Sequence, residues 1–475
     1  MKKNSSNSNN SSIVEGDDDG GNAIVRVKPL GAGGGGVERS GIGMVDGQAG
    51  LRYHSAEKFG DGGGGRIDLV AGNFSGKTFN YMNHVIPPET DNEKLYNFFL
   101  PRRIDAFMDG YNVNLMAYGQ TGTGKTHTMF GTPGIMERAG RGDYGTSVNK
   151  DYGIFPRALL EIFARYKKLS SQSSDKNYIL TAHSIELSML FGNQDMLNRK
   201  GGNPKLGSMM GRATQFGVCI DRVSKPARMY GMEELILESD KDLFRFFSGI
   251  SERCTVGTGL NQYSSRSHCF VVLILYCYDS TNDTISTSRF QFVDMAGSEK
   301  IKDAHGDSDY RNSGASIGGM LVNYSLTMLG CAVRDLLASR KSRKKFSFRA
   351  YLFDLVMLLS QSLTGEALTA VFVCVSQAPA NAATTYNALQ FGELFGQLTL
   401  RKKKVKAIPY NKMFNEVKKL LVTAQKALKN NPPAAYRVQR EGQVIDGSQR
   451  LEIFKRLKGV CGGGGGGGGG NLKKK

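Results

Sequence analysis

The amino-acid sequence predicts an α/β fold, with helices on both faces of a central sheet. Apolar, strand-like runs alternate with segments of helical periodicity along most of the chain, which is the pattern of layered α/β proteins. A glycine-rich loop that ends in Lys-Thr directly follows one of the apolar runs. Two β-rich runs, separated by a short turn segment that contains Asn-Asp, predict a hairpin within the sheet.

The composition limits the class of protein and of partner. A chain of 475 residues can bury one large core or two ordinary ones. The formal net charge of +19 and the pI near 9.5 favour an acidic partner, which could be nucleic acid, a membrane surface or an acidic filament. The apolar run at residues 270–276 is too short to span a bilayer, and the polar N-terminus lacks the apolar core of a signal peptide. The seven cysteines show no metal-ligand spacing, so we expect free thiols in a soluble, cytosolic protein.

The first part of the chain is predicted to contain a strand and a helix before the glycine-rich loop. Residues 1–21 are polar and then acidic, and they are predicted to be disordered. Residues 23–27 predict a first strand, and residues 93–108 predict one helix because apolar residues recur there at helical spacing. The glycine runs at 31–36 and 62–65 predict flexible insertions between short strands.

Beyond the loop, predicted strands and helices continue to alternate. Pro156 predicts the first turn of a helix, since proline is favoured there. The predicted hairpin pairs residues 269–278 with residues 288–293. The other predicted elements are strands at 178–187 and 368–375, helices at 240–253, 318–338, 349–363 and 384–398, and a surface loop at 198–217.

The glycine-rich loop, residues 119–126, fits the phosphate-binding pattern G-x-x-x-x-G-K-[ST] at every position. Glycines allow consecutive backbone N–H groups to converge on phosphate oxygens where a Cβ would clash. We expect Lys125 to reach the β- and γ-phosphates and Thr126 to offer its hydroxyl to Mg²⁺, at the positive end of the following helix. The alternative is a glycine-rich surface loop that matches by chance, which the apolar strand before it disfavours. The sequence therefore predicts binding of a nucleoside triphosphate.

Two further stretches predict how the nucleotide is used. Residues 261–268 (N-Q-Y-S-S-R-S-H) open a strand with a high density of hydroxyls, and Asp294 to Gly297 leave a strand as D-x-x-G. In phosphate-loop enzymes such an Asp orients Mg²⁺ through water, and such a Gly donates its N–H to the γ-phosphate. Taken singly, an Asx-type turn at Asp294 and a solvated serine loop are equally good interpretations. Their occurrence together with the phosphate loop favours a hydrolytic site.

These stretches, in this order, resemble the kinesin motor domain family. The resemblance also includes Gly153-Ile154-Phe155-Pro156-Arg157, residues 323–330 and Arg26-Val27-Lys28-Pro29, and it runs collinearly from about residue 23 to about residue 411. It implies a P-loop NTPase fold with a central mixed, mostly parallel sheet. It also implies an ATPase that uses ATP and Mg²⁺, with microtubules (tubulin) as partner, in the cytoplasm and on the cytoskeleton.

The resemblance implies roles for individual residues. Arg26, Pro29 and Tyr96 would hold the adenine, with Tyr96 stacked on it. The catalytic group would comprise Asn261 and Ser264 at the lytic water, Ser265, Gly297 at the γ-phosphate, and an Arg266–Glu299 salt bridge that closes over the site. Mg²⁺ would be held by Thr126, Ser267 and, through water, Asp294. The nucleotide-binding loop would comprise Gly119, Gln120, Thr121, Gly122, Thr123, Gly124, Lys125, Thr126 and His127.

The helix at 318–338 would connect the γ-phosphate sensor to the track. The basic side chains at its far end would then face tubulin, although a solvated charged loop is the other interpretation of such a run. These side chains are Arg340, Lys341, Arg343, Lys344, Lys345 and Arg349. The sequence departs from the family on this side, with Tyr324 in place of the usual Lys and residues 351–354 in place of a basic stretch.

The predicted domain organisation has five parts. A motor domain at 22–400 follows the N-terminal extension and is followed by a neck-linker-like segment at 401–412. A short amphipathic helix at 413–431 precedes a disordered basic tail at 432–475. With barely two heptads in that helix, we expect a monomer or a weak dimer.

The predicted function is an ATP-hydrolysing microtubule motor, in which two switch loops couple γ-phosphate sensing to microtubule binding and neck movement. One alternative is a non-motile, kinesin-like ATPase that binds or regulates microtubules. Another is a nucleic-acid-stimulated P-loop NTPase, for which Phe346 and Phe348 beside the basic run are the only indication in the sequence.

Overall fold

The computed structural model describes residues 22–29, 50–54, 65–82, 84–142, 150–188, 192–198, 218–221, 227–254, 267–298, 314–351, 353–398 and 403–459. Several predictions lie outside these residues. They concern the N-terminal extension, the glycine runs at 31–36 and 62–64, nearly all of the loop at 198–217, and the residues beyond 459.

A ten-stranded sheet forms the centre of the molecule. In spatial order its principal strands are β11 (Leu235–Ile236), β7 (Lys176–Leu187), β12 (His268–Asp279), β13 (Thr284–Asp294), β6 (Val113–Gly119), β14 (Leu368–Val375), β1 (Asn22–Val27) and β5 (His84–Ile86). Two short strands join it at the side, β8 (Gln194–Asp195) on β7 and β15 (Ile408–Pro409) on β13. Smaller sheets consist of β2 (Leu51–His54), β3 (Gly65–Leu69) and β4 (Thr78–Met82), and of β9 (Cys219–Asp221) and β10 (Arg228–Tyr230).

The sheet is mixed, as predicted. Strands β5, β1, β14, β6 and β13 form a run in which each adjacent pair is parallel. On the other side of β13 the pairing is antiparallel, since β12 pairs antiparallel with both β13 and β7. The predicted hairpin is confirmed as β12 and β13. All seven residues of β6 are buried, because the strand lies in the middle of the sheet with helices on both sides.

Helices cover both faces of the sheet, as predicted. Alternate residues of β6 belong to different apolar cores: Leu115 packs in the first core and Met116 in the second. The first core is covered by α1 (Asn92–Phe99), α2 (Pro101–Met108), α3 (Lys125–Met129), α4 (Ile135–Gly140), α5 (Ile154–Gln172) and α6 (Asp240–Cys254). The second is covered by α7 (Gly314–Lys341), α8 (Asp354–Thr364) and α9 (Ala382–Gly396).

Two predicted helix boundaries are wrong. The single helix expected at 93–108 is two helices, α1 and α2, that meet at Leu100, because Pro101 has no N–H and starts a new helix at its first position. The helix expected to start at residue 349 begins at Asp354, after a 3₁₀ turn at Phe348–Ala350. Phe348, Tyr351 and Phe353 instead pack their rings against the second core.

The disordered tail predicted from residue 432 is also wrong over most of its length. The amphipathic helix is confirmed as α10 (Tyr410–Lys429), and a second helix, α11 (Ala434–Leu457), follows it after a short turn. Ile453, Phe454 and Leu457 are fully buried in a third core against β7 and β12. A helix forms here because these side chains cover apolar residues that one end of the sheet would otherwise expose.

None of the helices that the structure describes is long and apolar enough to cross a bilayer.

Candidate nucleotide site

The phosphate loop begins where β6 leaves the sheet. Gly119 has φ of +147°, and a Cβ at this position would lie 2.2 Å from the carbonyl oxygen of Cys374 on β14. Gly122 and Gly124 have φ of +80° and +98°, in the left-handed region, and a Cβ on either would meet no atom within 4 Å. The first glycine is therefore required by the neighbouring strand. The other two leave an open backbone surface that phosphate oxygens can approach.

Lys125 starts α3 and folds back over the loop. Its side chain is only 8% exposed, and its Nζ donates to the carbonyl oxygens of Gly119 at 2.9 Å and Gln120 at 2.8 Å. Thr123 adds a hydrogen bond from its hydroxyl to the same Gln120 oxygen at 2.7 Å. These contacts hold the ammonium group at the loop.

Thr126 and Asp294 bring a hydroxyl and a carboxylate together beside the loop. The Thr126 Oγ1 donates to Asp294 Oδ2 at 2.8 Å, and Asp294 is the buried last residue of β13, paired in register with Ala117 on β6. Both groups are hard oxygen donors of the kind that Mg²⁺ prefers. In the part of the chain that the structure describes, no cluster of three or more His, Cys, Asp or Glu could hold a metal. This donor set therefore fits Mg²⁺ with phosphate and water as its other ligands, which is how Mg²⁺ usually binds.

The D-x-x-G segment lies along the phosphate loop. The Met295 N–H donates to the carbonyl of Ala117 and the Ser298 N–H to the carbonyl of Gly119, both at 3.2 Å. Gly297, the predicted γ-phosphate sensor, is buried directly before Ser298. The structure thus brings this segment and the phosphate loop together, while the role of Gly297 stays a prediction.

Ser267 closes the other predicted segment. It is 1% exposed, and its hydroxyl donates to Oε1 of Glu186 on β7 at 2.5 Å. Its predicted contact with Mg²⁺ stays a prediction. The hydrogen bond to Glu186 is compatible with it, because a hydroxyl that donates its proton can still bind a metal through its oxygen. Glu186 was not predicted, although an acid within the apolar strand at 178–187 was a visible signal.

Five of the predicted catalytic residues lie outside the described part of the chain. They are Asn261, Ser264, Ser265, Arg266 and Glu299. Their roles stay predictions.

The predicted adenine side is organised by Arg26. Its guanidinium donates to Asn92 Oδ1 at 2.7 Å and to Thr128 Oγ1 at 2.8 Å, joining β1 to α1 and to α3. Burial lowers the pKa of Arg26 from its ordinary value. Pro29 is exposed just beyond β1, and His127 is exposed on α3. Desolvation and then the charge of Arg26 lower the pKa of His127, so the imidazole is neutral at pH 7.

Tyr96 has a different environment from the one predicted. Its ring is 8% exposed in the first core, and its hydroxyl donates to Glu161 on α5. A ring with so little exposure has no free face for a base, so its position argues against the stacking role.

The predicted track face shows a cluster of exposed charge. Arg340, Lys341, Arg343, Lys344, Lys345 and Arg349 are all exposed at the C-terminal end of α7 and in the turn after it. Phe346 and Phe348 are partly buried against the second core, with their rings 4.8 Å apart. Core packing therefore accounts for these two aromatics, which weighs against stacking on nucleic-acid bases.

The neck-linker-like segment lies along the main sheet. The Val405 N–H donates to the Gly110 carbonyl at 2.9 Å, and β15 pairs Ile408 with Ile285 of β13. The next residue after β15, Tyr410, is 5% exposed, and its hydroxyl donates to the carbonyl of Phe454 in α11 at 3.1 Å. The described part of the segment is therefore fixed at Val405 by Gly110, at Ile408 by β13 and at Tyr410 by α11.

Comparison with known proteins identifies what this arrangement is similar to. The family model of the kinesin motor domain matches residues 69–398. Kinesin-like protein KIF14 of Mus musculus is 30% identical over 351 residues, which cover 71% of this chain and 19% of that protein. Chromosome-associated kinesin KIF4 of Gallus gallus is 29% identical over 337 residues, covering 69% of this chain and 24% of that protein. The chain thus spans a fifth to a quarter of the length of these relatives.

Solved structures show the same fold. The structure of a fast kinesin superposes with a TM-score of 0.62 at 21% identity, covering 82% of this chain and 94% of that one. A KIF14 dimer with AMP-PNP on a microtubule superposes with a TM-score of 0.61 at 22% identity, covering 82% and 96%.

Proposed function

Because the chain belongs to the kinesin motor domain family, we propose that it is an ATP-hydrolysing motor that acts on microtubules. The observation that carries this proposal is the hydrogen bond between Thr126 of the phosphate loop and Asp294 at the end of β13. It joins the element that binds phosphate to the element that leads, through Gly297, towards α7.

The phosphate loop binds the triphosphate with groups already in place. The backbone at Gly122 and Gly124 is open to a phosphate, because a Cβ on either would meet no atom within 4 Å. Lys125 exchanges its two carbonyl partners for β- and γ-phosphate oxygens. Because these carbonyls lie in the loop itself, the exchange moves the ammonium group only a short way. Arg26, Pro29 and the neutral ring of His127 line the adenine side.

Thr126 and Asp294 would hold Mg²⁺, Thr126 by its hydroxyl and Asp294 through water. Bound Mg²⁺ supplies positive charge that neutralises the phosphate oxygens during cleavage. Ser267 would contribute its hydroxyl oxygen, a role that its hydrogen bond to Glu186 does not prevent.

The hydrolytic step relies on residues assigned by the family resemblance. Asn261 and Ser264 position the attacking water, Ser265 lies in the same catalytic group, and the Gly297 N–H contacts the γ-phosphate. Arg266 and Glu299 form an ion pair that closes over the site, with Glu299 in the path of the proton.

The exposed basic cluster that follows α7 binds the acidic surface of tubulin. It comprises Arg340, Lys341, Arg343, Lys344, Lys345 and Arg349, all of them exposed. We infer a location in the cytoplasm, on microtubules.

The chain acts as a monomer or a weak dimer. The apolar stripe of α10 is used within the chain, since Val417 and Ala424 are buried. A helix whose apolar stripe is covered by its own chain has no seam for a coiled coil.

A second candidate is a non-motile microtubule ATPase. It is favoured by the fixed neck-linker-like segment, because Tyr410 is buried beneath α11, and by Tyr324, which puts a 53% exposed ring where the family has a Lys. In this alternative, the ATPase cycle changes the affinity for the microtubule without a movement of the neck-linker-like segment.

The test is the steady-state ATPase rate of the full chain with and without taxol-stabilised microtubules, with Glu299→Ala as control. We expect strong stimulation that the substitution abolishes. Basal hydrolysis that microtubules leave unchanged would refute a microtubule-stimulated ATPase. Stimulation by RNA or DNA instead would point to the nucleic-acid alternative.

A further inference from the structure

A buried histidine connects three elements that the proposed mechanism needs to move together. His268 is the first residue of β12, directly after the serine-rich segment, and it is 4% exposed. The N–H of Ala296, in the D-x-x-G segment, contacts its Nδ1 at 3.2 Å, and its Nε2 contacts Ser325 Oγ on α7 at 3.0 Å. One imidazole ring therefore touches the ends of both predicted switch segments and the helix that leads to the track.

The direction of each hydrogen bond follows from its partners. A backbone N–H can only donate, so Nδ1 of His268 is the acceptor and carries no proton. The neutral ring then has its proton on Nε2, which donates to Ser325 Oγ. The Ser325 hydroxyl donates in turn to the carbonyl of Val322 at 2.7 Å, within α7. Each hydrogen bond between Ala296 and α7 therefore has one donor and one acceptor.

Ala296 lies between two residues that are predicted to respond to the bound nucleotide. It lies between Asp294, which bonds Thr126, and Gly297, the predicted γ-phosphate sensor. If Gly297 is drawn towards a phosphate, the Ala296 N–H moves with it. A hydrogen bond that is already 3.2 Å long does not survive a shift of about an ångström unless the histidine follows.

Ser325 connects the histidine ring to α7. It is 2% exposed, so a Ser325 that lost its imidazole partner could not turn to solvent instead. The buried pair His268–Ser325 is therefore kept together, and α7 shifts with the ring. Lys344 and Lys345 lie in the turn beyond the far end of this helix, in the basic cluster.

We propose that His268 is the positioning residue that transmits displacement of the D-x-x-G segment to α7. It does not contact the nucleotide, and it acts through Ala296 on one side and Ser325 on the other. The consequence of this link for microtubule binding rests on the proposed function. The link between the nucleotide site and α7 can itself be measured without a microtubule.

The experiment is hydrogen–deuterium exchange of the full chain with ADP and with a non-hydrolysable ATP analogue. Ser325→Ala removes the acceptor on α7, and His268→Asn keeps an acceptor for Ala296 but is too short to reach Ser325. The matched control is Thr327→Ala, which removes an exposed hydroxyl of α7 that donates to Asn323 O of the same helix at 2.7 Å. Melting temperatures of all variants check that they fold.

In the wild-type chain, replacing ADP by the analogue should change exchange both at the phosphate loop and in α7. In Ser325→Ala and His268→Asn, the change at the phosphate loop should remain while the change in α7 is lost; Thr327→Ala should behave as wild type. A purely structural role would lower the melting temperature and leave the α7 response intact, and that result overturns the proposal. So does a wild-type α7 that does not respond to the analogue.

A second readout separates this inference from the proposed function. Ser325→Ala should leave basal ATPase unchanged and lower microtubule stimulation by roughly tenfold, a typical coupling between two sites. If microtubules fail to stimulate even the wild type while the α7 response still depends on Ser325, the proposed function fails and the inference stands. If stimulation is normal in Ser325→Ala, the inference fails and the proposed function stands.

Discussion

Phe454 is the side chain on which docking of the C-terminal helices depends most. It is 0% exposed, and its ring centroid lies 6.2 Å from that of Tyr276 on β12 and 6.5 Å from that of Tyr410. Among the side chains of α11 that the structure describes, Ile453 and Leu457 are the others that are fully buried in the third core. Phe454→Ala should therefore release α11 from the sheet while the main fold stays intact.

The magnitude follows from burial. Each of these three side chains contributes about 1.5–3 kcal/mol to docking through the apolar area it removes from water. Replacing a buried Phe by Ala costs about 3–5 kcal/mol, because a cavity is left behind. At about 1.4 kcal/mol per factor of ten, the docking equilibrium of α11 should shift by roughly two to four orders of magnitude.

The assay is limited proteolysis by trypsin, which cleaves after the basic residues of α11 once that helix leaves the sheet. Cleavage within 434–457 should be much faster in Phe454→Ala, whereas the main thermal transition should move little. The matched control is Ile445→Ala on the same helix, whose side chain is 42% exposed and should behave as wild type. If Phe454→Ala is cleaved at the wild-type rate while the whole chain melts earlier, α11 is part of the main cooperative unit and the reasoning is refuted.

Three further predictions follow from other parts of the structure. Gly119→Ala should abolish nucleotide binding, measured with a fluorescent ATP analogue, because its Cβ would lie 2.2 Å from the Cys374 oxygen. Burial raises the pKa of Asp446 in α11 from 3.8 to about 6. Between these two pH values the carboxyl group is protonated when α11 is docked and ionised when it is not. The stability of the docked helix should then rise as pH falls from 7 to 5, by about 1 kcal/mol. Replacing Lys344 and Lys345 by Ala should raise the microtubule concentration for half-maximal ATPase several-fold, and more at low salt.

Each of these predictions has a control and a contradicting outcome. Gly76→Ala, at a loop glycine where a Cβ meets nothing, should bind nucleotide normally, and normal binding by Gly119→Ala would contradict the close approach of β14. Asp446→Asn should remove the pH dependence, and a helix that docks more weakly at pH 5 than at pH 7 would show the opposite sign. The control for the Lys344 and Lys345 substitutions is the replacement of Lys418 and Lys419 by Ala. It removes the same amount of charge from α10, which is not part of the predicted track face. An equal effect of both pairs would mean that net charge alone attracts the filament.

The sequence was most informative where the residue types required by phosphate binding or by burial in the sheet can be recognised locally. The strands flanking the phosphate loop were predicted because strands buried on both faces are continuous apolar runs, and β6 is one. Gly119, Lys125, Thr126 and Asp294 were predicted because phosphate binding restricts residue type at fixed spacing. The structure brings all four together.

The sequence was least informative where tertiary contacts decide. Nothing within residues 432–457 shows that Phe454 has an apolar sheet surface to cover, so a mostly polar segment was predicted to be disordered. Tyr96 was assigned to the adenine, but the core around α1 and α5 buries its ring. The partners of Ser267 and His268 lie on other strands and on α7, at sequence distances that no local pattern encodes.

A microtubule gliding assay with the full chain fixed to a surface tests the central claim most directly. A motor of this family should move microtubules in ATP and hold them still in a non-hydrolysable analogue. Thr126→Ala, which lacks the hydroxyl that meets Asp294, should not move them in either. Microtubules that bind and release in ATP without displacement, while ATP is hydrolysed, would contradict a motor and favour the non-motile ATPase.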